Sequence, residues 1–296
     1  MRVSTNMIYD QGIGTIQQFW KNLLHVQQEV ATGRRVLTPA DDPIAASRAL
    51  DVNKSRVINA QYKFNLGTAT DNLKLVENKL MGMGEILQYM REGAIAAGDG
   101  VFTQKEIDFI VADLRNQFDA LLTLANTRDV AGNYLFSGYK ADVQPFQGGY
   151  GSVTYEGDQG TRTIQVSSSR FMPVSLPGSD LFEDVFDKLY AFIDALENPG
   201  PGGVIEGVKL GIGVIDNALD TELRVRAQIG SQLVELEQLG NVNSDMDIQY
   251  ADTLERLQGC DYAEAISRLT RLQANLEASQ LSFMRVSGLS LFNFLQ

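Results

Sequence analysis

The chain contains one cysteine, one histidine and one tryptophan among its 296 residues. A single thiol, Cys260, excludes an intrachain disulfide, and a single imidazole, His25, excludes a histidine-rich metal site. Basic side chains are also scarce, with 25 Lys and Arg against 37 Asp and Glu, a net charge of −12. That balance argues against nucleic acid as the main partner and against an anionic membrane surface, because both call for a basic face. No stretch approaches the roughly 18 apolar residues of a membrane span. Asp10, Gln11, Gln17 and Gln18 interrupt any apolar run near the start, so no cleaved signal peptide is expected. Proline is the most telling scarcity. There are seven, at 39, 43, 145, 173, 177, 199 and 201, and none in 44–144 or 202–296. Proline breaks helix interiors, so these two gaps leave room for very long helices.

What is present agrees. Hydrophobic residues make up 44% and charged residues 21%, ordinary for a chain that buries a core. Residues 9–31 read as an amphipathic helix. Ile13, Ile16, Trp20, Leu23, Gln27 and Val30 follow alternating steps of three and four, with Phe19 and Val26 widening the stripe. Thr32 and Gly33 end it, glycine supplying the left-handed cap. Asp42 suits the N-cap of the next helix and Pro43 its first position. That helix carries the clearest pattern in the chain. Leu66, Ala69, Leu73, Val76, Leu80, Met83, Leu87, Met90, Ala94 and Ala97 occupy successive a and d positions, which predicts a coiled-coil-like bundle.

Gly98, Asp99 and Gly100 break the pattern, and Thr103 with Glu106 reads as a capping box. Ile107, Val111, Leu114, Phe118, Leu121 and Ala125 mark a further helix, antiparallel to its predecessor across a short connection. Residues 133–180 change character. Segments 152–156 and 162–166 read as strands of one β-hairpin turning at 157–160, with a further strand expected at 171–175, kept at an edge by Pro173. Helix returns near 181 with Phe182, Val185, Leu189, Phe192 and Leu196, and the Pro/Gly run 198–203 stops it. Val208, Ile212, Ile215, Leu219, Ile229, Leu233 and Leu236 continue at helical spacing, interrupted by Glu222 and Arg226. A last helix from about 262 bears Leu269, Leu272, Leu276, Phe283 and Val286.

The fold class expected is therefore mainly α: a long helical bundle with paired N- and C-terminal helices and a small β insert. The order implies nesting. Residues 1–42 and 256–296 form terminal arms, 43–137 and 181–255 a rod, and 138–180 the insert. Net charge divides similarly, 0 and +1 on the two arms and −13 on 43–255. Nearly neutral amphipathic ends on an acidic body suggest ends that associate.

Several motifs resemble those of the flagellin-like proteins of the bacterial flagellum, most of all the hook-associated protein 3 family. These are Met1-Arg-Val-Ser-Thr-Asn-Met7, Ala31-Thr-Gly-Arg-Arg35, Thr38-Pro-Ala-Asp-Asp-Pro43 and Ala45-Ala-Ser-Arg-Ala49. Further along are Asn133-Tyr-Leu-Phe-Ser-Gly138, Val153-Thr-Tyr-Glu-Gly-Asp158, Asp261-Tyr-Ala-Glu-Ala-Ile266 and Leu289-Ser-Leu-Phe292. The resemblance implies an axial structural protein at the hook–filament junction, with no catalysis and no cofactor. It implies as partners other copies in a ring-like layer, hook-associated protein 1, flagellin, an export chaperone and the type III export apparatus. The location implied is the extracellular flagellum, reached without signal-peptide cleavage. A flagellin filament subunit is the alternative within the family, and a cytoplasmic helical-bundle scaffold the alternative outside it. The Thr-Pro-Ala-Asp-Asp-Pro, Tyr-Leu-Phe-Ser-Gly and Ser-Leu-Phe forms favour the junction protein over flagellin.

The residues expected at subunit interfaces are Ile13, Ile16, Trp20, Leu23, Val30, Leu269, Leu272, Leu276, Phe283 and Val286. Leu289, Leu291, Phe292, Phe294 and Leu295 form the uncharged tail expected to serve the chaperone or assembly. Amphipathic helices without a partner gain little stability, so the arms are expected to order on assembly. The remaining chemistry-bearing residues have bland readings. His25 is an ordinary helix position, Cys260 a small hydrophobe and Asp41-Asp42 a helix cap. Gly148-Gly-Tyr-Gly151 is a turn rather than a phosphate loop, and Met81, Met83 and Met90 are core filler. No nucleophile, base and orienting group come together in the sequence, so an enzyme is the poorest reading.

Overall fold

The computed structural model describes residues 5–99, 103–129, 132–199 and 203–292. Its elements are α1 (Thr5–Thr32), α2 (Pro43–Gly98), α3 (Gln104–Ala125), β1 (Phe146–Gln147), β2 (Thr154–Tyr155), β3 (Thr163–Gln165), β4 (Phe171–Pro173), α4 (Ser179–Glu197), α5 (Gly203–Gln258) and α6 (Tyr262–Phe292). The two longest helices, α2 and α5, have 56 residues each and open the two proline-free gaps, which α3 and α6 continue. The chain forms two compact units, Met1–Ile58 with Asp245–Gln296, and Asn59–Ser244.

The 59–244 unit is built on the heptads of α2. All ten expected a and d residues are buried, from Leu66 to Ala97. The six marked positions of α3 are buried too. Gly82 faces Leu124 and Gly93 faces Leu114, so α3 runs antiparallel to α2. At its start Glu106 reaches back, its carboxylate accepting from the Thr103 N–H at 2.7 Å and the Thr103 hydroxyl at 2.8 Å. α5 is antiparallel to α2 as well. Val208 packs beside Gly98, Arg91 pairs with Asp216 at 2.8 Å, and the Asn59 amide donates to the Asn243 carbonyl at 2.9 Å. α4 closes the bundle. Phe118 of α3 meets Phe186 of α4 edge to face at 5.4 Å, and Phe186 stacks on Phe182.

One stretch of α5 reads differently in three dimensions. Glu222 and Arg226 do not interrupt the stripe; Glu222 occupies it, 1% exposed. Its carboxylate lies beside Gly84 of α2, within ordinary contact distance of where a Cβ would stand, and accepts from the Arg226 guanidinium at 3.2 Å. Burial pushes the carboxyl above its ordinary value, opposed by the Arg226 charge. Met83 and Met90 are core residues, whereas Met81 is 42% exposed, because the heptad seam passes through 80 and 83 and leaves 81 outside it.

Three of the insert's four strands lie at the expected places, β1 at 146–147 was not expected, and the expected pairing does not form. Residues 154–155 pair antiparallel with 146–147, and 163–165 with 171–173, giving two separate two-stranded sheets. The segment between β2 and β3 is tied elsewhere. The Asp158 carboxylate accepts N–H bonds from Tyr139 and Gly160, and the Tyr155 hydroxyl donates to the Phe136 and Asp158 carbonyls. These bonds hold residues 155–160 against the Phe136–Tyr139 loop and stop β2 from folding back on β3. Gly149–Ser152 forms a turn, as its glycines suggest, with the Ser152 N–H on the Gly149 carbonyl. Arg170, between β3 and β4, holds Glu235 of α5 with two bonds of 2.6 and 2.7 Å, fastening the insert to the bundle.

Candidate assembly surfaces of the terminal helix pair

The unit Met1–Ile58 with Asp245–Gln296 is organised by α1 and α6. They run antiparallel: Phe283 packs on Gly12 near one end, and Arg268 donates to Glu29 at 2.7 Å near the other. The Tyr9 ring meets Phe283 edge to face at 5.7 Å, and its hydroxyl donates to the Ser287 carbonyl at 3.3 Å. This geometry shifts the seam of α1 from the apolar stripe read in the sequence. Leu23 and Val26 are buried and Phe19 half-buried, while Ile13 and Gln27 face outward. Gly12 is the cause. A residue without a side chain carries no hydrophobic signal, yet here it makes the hole that Phe283 fills.

The expected interface residues thus divide. Leu23 and Leu276 are buried within this unit. Ile16, Val30, Leu269, Leu272 and Phe283 are half-buried. Ile13, Trp20 and Val286 are exposed, at 45%, 46% and 47%. Leu24 joins Ile13 and Trp20 on one outward stripe of α1, and α6 leaves Leu281 and Met284 uncovered. Leu24, Leu281 and Met284 were not among the expected interface residues, because they lie off the a/d spacing. Leu289, Leu291 and Phe292 fall within α6, but their side chains lie outside the described residues, and Phe294 and Leu295 lie wholly outside them.

The connections at the other end are joined by backbone. Gly33, at φ +68°, lets the chain leave α1 in the left-handed conformation. The Arg35 N–H then donates to the Gln258 carbonyl at 2.7 Å, and the Cys260 N–H to the Gly33 carbonyl at 3.0 Å. Asp42 caps α2 through the Ala45 N–H at 3.0 Å. Asp41 does something else: its Oδ2 accepts from the Leu37 and Thr38 N–H groups at 3.0 and 2.7 Å, folding the loop. These bonds, the Thr38 N–H foremost and then His25, hold its carboxyl down at about 2. Cys260 is half-buried, and burial, then Glu29, pushes its thiol up, which keeps it protonated and unreactive. Among the described residues no cluster of His, Cys, Asp and Glu could hold a metal ion. No helix among them is long and apolar enough to cross a membrane.

Comparison with known proteins places this architecture. The family of the bacterial flagellin N-terminal helical region matches residues 3–141. The chain is 31% identical to flagellar hook-associated protein 3 of Salmonella typhimurium, the match covering 99% of each sequence. It is 30% identical to flagellar hook-associated protein 3 of Escherichia coli, again over 99% of each. A solved structure assigned to a flagellar hook-associated protein of Vibrio parahaemolyticus superposes with a TM-score of 0.70 at 22% identity, covering 74% of this chain and 100% of that one. With an antiparallel terminal helix pair, a heptad-built bundle and a small β insert matched end to end, the chain belongs to the flagellar hook-associated protein 3 family.

Proposed function

We propose that this protein is a structural, non-enzymatic part of the bacterial flagellum that joins the hook to the flagellin filament. The observation that carries this reading is the end-to-end similarity to flagellar hook-associated protein 3, including both terminal helices. On this reading the arms, 1–42 with 256–296, pack against copies of themselves in a ring-like layer, with hook-associated protein 1 on one side and flagellin on the other. Residues 43–137 with 181–255 form a rod, and 138–180 project from it. Export to the extracellular flagellum proceeds through the type III apparatus without signal-peptide cleavage, with a chaperone covering the apolar tail. The exposed apolar stripe of Ile13, Trp20 and Leu24 supports such packing, because large uncovered apolar side chains at helical spacing mark surfaces that bury on association.

The test is a truncation series in a strain lacking its own junction protein. Removing 1–30 or 270–296 should abolish motility while a protease-resistant core of roughly 40–255 remains folded. Restored motility by either truncated chain would overturn the reading. Incubation in high salt separates the in-family alternative: a flagellin polymerises into long filaments on its own, and a junction protein does not.

A further inference from the structure

The single histidine is held from both sides. His25 Nδ1 lies 3.0 Å from Oε1 of Glu29, one turn on along α1, and Nε2 lies 3.0 Å from Oδ1 of Asp41 in the loop before α2. An ionised carboxylate only accepts hydrogen bonds, so both ring nitrogens must donate, and only the imidazolium has two N–H groups. Neither carboxylate is free to turn away. Asp41 uses its other oxygen for the Leu37 and Thr38 N–H groups, and Glu29, buried at 4% exposure, uses its other oxygen for Arg268 of α6. The result is an alternating chain of charge, Arg268, Glu29, His25, Asp41, running from α6 across α1 to the loop.

We propose that His25 is a pH-operated latch, which in its doubly protonated form pins the Leu37–Asp42 loop to α1 and releases it on losing a proton. The neutral ring has one donor and one lone pair, so one of its two carboxylates then faces the lone pair and is repelled. Glu29 stays paired through Arg268, so Asp41 and its loop are the side that lets go. Other charged groups around the site are paired among themselves. Arg268 also approaches Glu264 at 3.8 Å, and Arg35 and Asp42 pair with each other at 3.2 Å. The Asp261 carboxylate is bonded to the Ala263 and Glu264 N–H groups, and the Cys260 thiol is held protonated. The Asp41 carboxylate protonates only in strong acid, near 2. The latch is therefore closed while the ring carries both protons and opens when it loses one. Arg35, two residues before this loop, makes the backbone bond to Gln258, so release of the loop loosens the joint between the α1–α2 and α5–α6 connections.

The experiment uses the full chain and needs no assignment, because there is only one imidazole. Its nitrogen and carbon chemical shifts are followed by NMR from pH 5 to 9. In parallel, hydrogen exchange of the peptide 33–42 is measured and corrected for intrinsic rate. The ring should show two N–H groups wherever the loop is protected. Protection should fall by roughly fivefold as the ring loses a proton, with the same midpoint. His25→Gln should abolish the step and leave the loop at its high-pH exchange rate throughout. A neutral ring in the protected state, or loop protection that ignores the ring's titration, overturns the proposal. Those two readings come from the unmodified protein, so they decide the matter even if the variant folds poorly.

Discussion

Among the described residues, the unit 59–244 buries thirty-five apolar side chains and exposes fourteen large ones; the terminal unit buries seven and exposes fifteen. Both units are made of long helices with similar heptad-like spacing. They differ in how many of a helix's faces find a partner in the same unit. In the larger unit α2 is flanked by α3 and α5, α4 packs on α3, and the aromatic residues of α4 and the insert fill the space between layers. In the terminal unit α1 packs on α6, while Ile13, Trp20 and Leu24 of α1 stay uncovered. A helix with one covered face retains apolar area that further association would remove from water, at about 25 cal/mol per Å². The larger unit thus covers most of its own apolar surface, and the terminal unit leaves much of its own uncovered.

The largest expected effect lies in the 59–244 unit. Leu87→Ala, at a fully buried heptad position, should lower the unfolding free energy by about 3 kcal/mol in a denaturant titration. A loss under 1 kcal/mol would mean the bundle core is not packed as described. Next comes Glu222. Its folded carboxyl is raised above its ordinary value of 4.5. Stability from the protonated form is therefore complete below 4.5 and declines as the pH rises past it. Glu222→Gln keeps a neutral side chain at every pH, so it should melt close to wild type at pH 4 and higher than wild type at pH 7, by about 1 kcal/mol. Equal melting of the two at both pH values would show that Arg226 offsets the burial in full. The smallest effect on the isolated chain is the one that matters most for the comparison. Trp20→Ala, on an exposed stripe, should change monomer stability by no more than about 0.5 kcal/mol, yet reduce motility in a complementation assay. A variant that swims normally would remove Trp20 from the interface.

Legibility in the sequence followed the same divide. On α2 the apolar residues and the buried residues coincide at all ten positions, because flanking helices cover the stripe and nothing else competes for it. Thr103, Glu106, Asp42 and Gly33 were equally readable, since capping is settled within four residues. On α1 the reading slipped. Ile13 looked like a seam residue and Gly12 like nothing, until Phe283, 271 residues away, took the glycine's place in the seam. Three strands of the insert were located and mispaired, and β1 at 146–147 was missed. Strands of two or three residues have too few ladder bonds to choose a partner, so Asp158 and Tyr155 decided it through the 136–139 loop. The charge chain through His25 left no local trace, since its members are separated by 4, 16 and 239 positions.

By itself the amino-acid sequence determined that this is a protein of long helices, where α2 and α3 start and α2 stops, and which residues of α2 and α3 fill the central bundle. Those outcomes depend on local propensity, on capping and on a period of 3.5 residues, all of which act within a few turns. Tertiary structure alone decided the seam of α1, the pairing in the insert, the burial of Glu222 against Gly84 and the grip of two carboxylates on His25. Each of these turns on which distant side chain arrives at a given place, and an interaction between remote residues has energy only once the fold has brought them together.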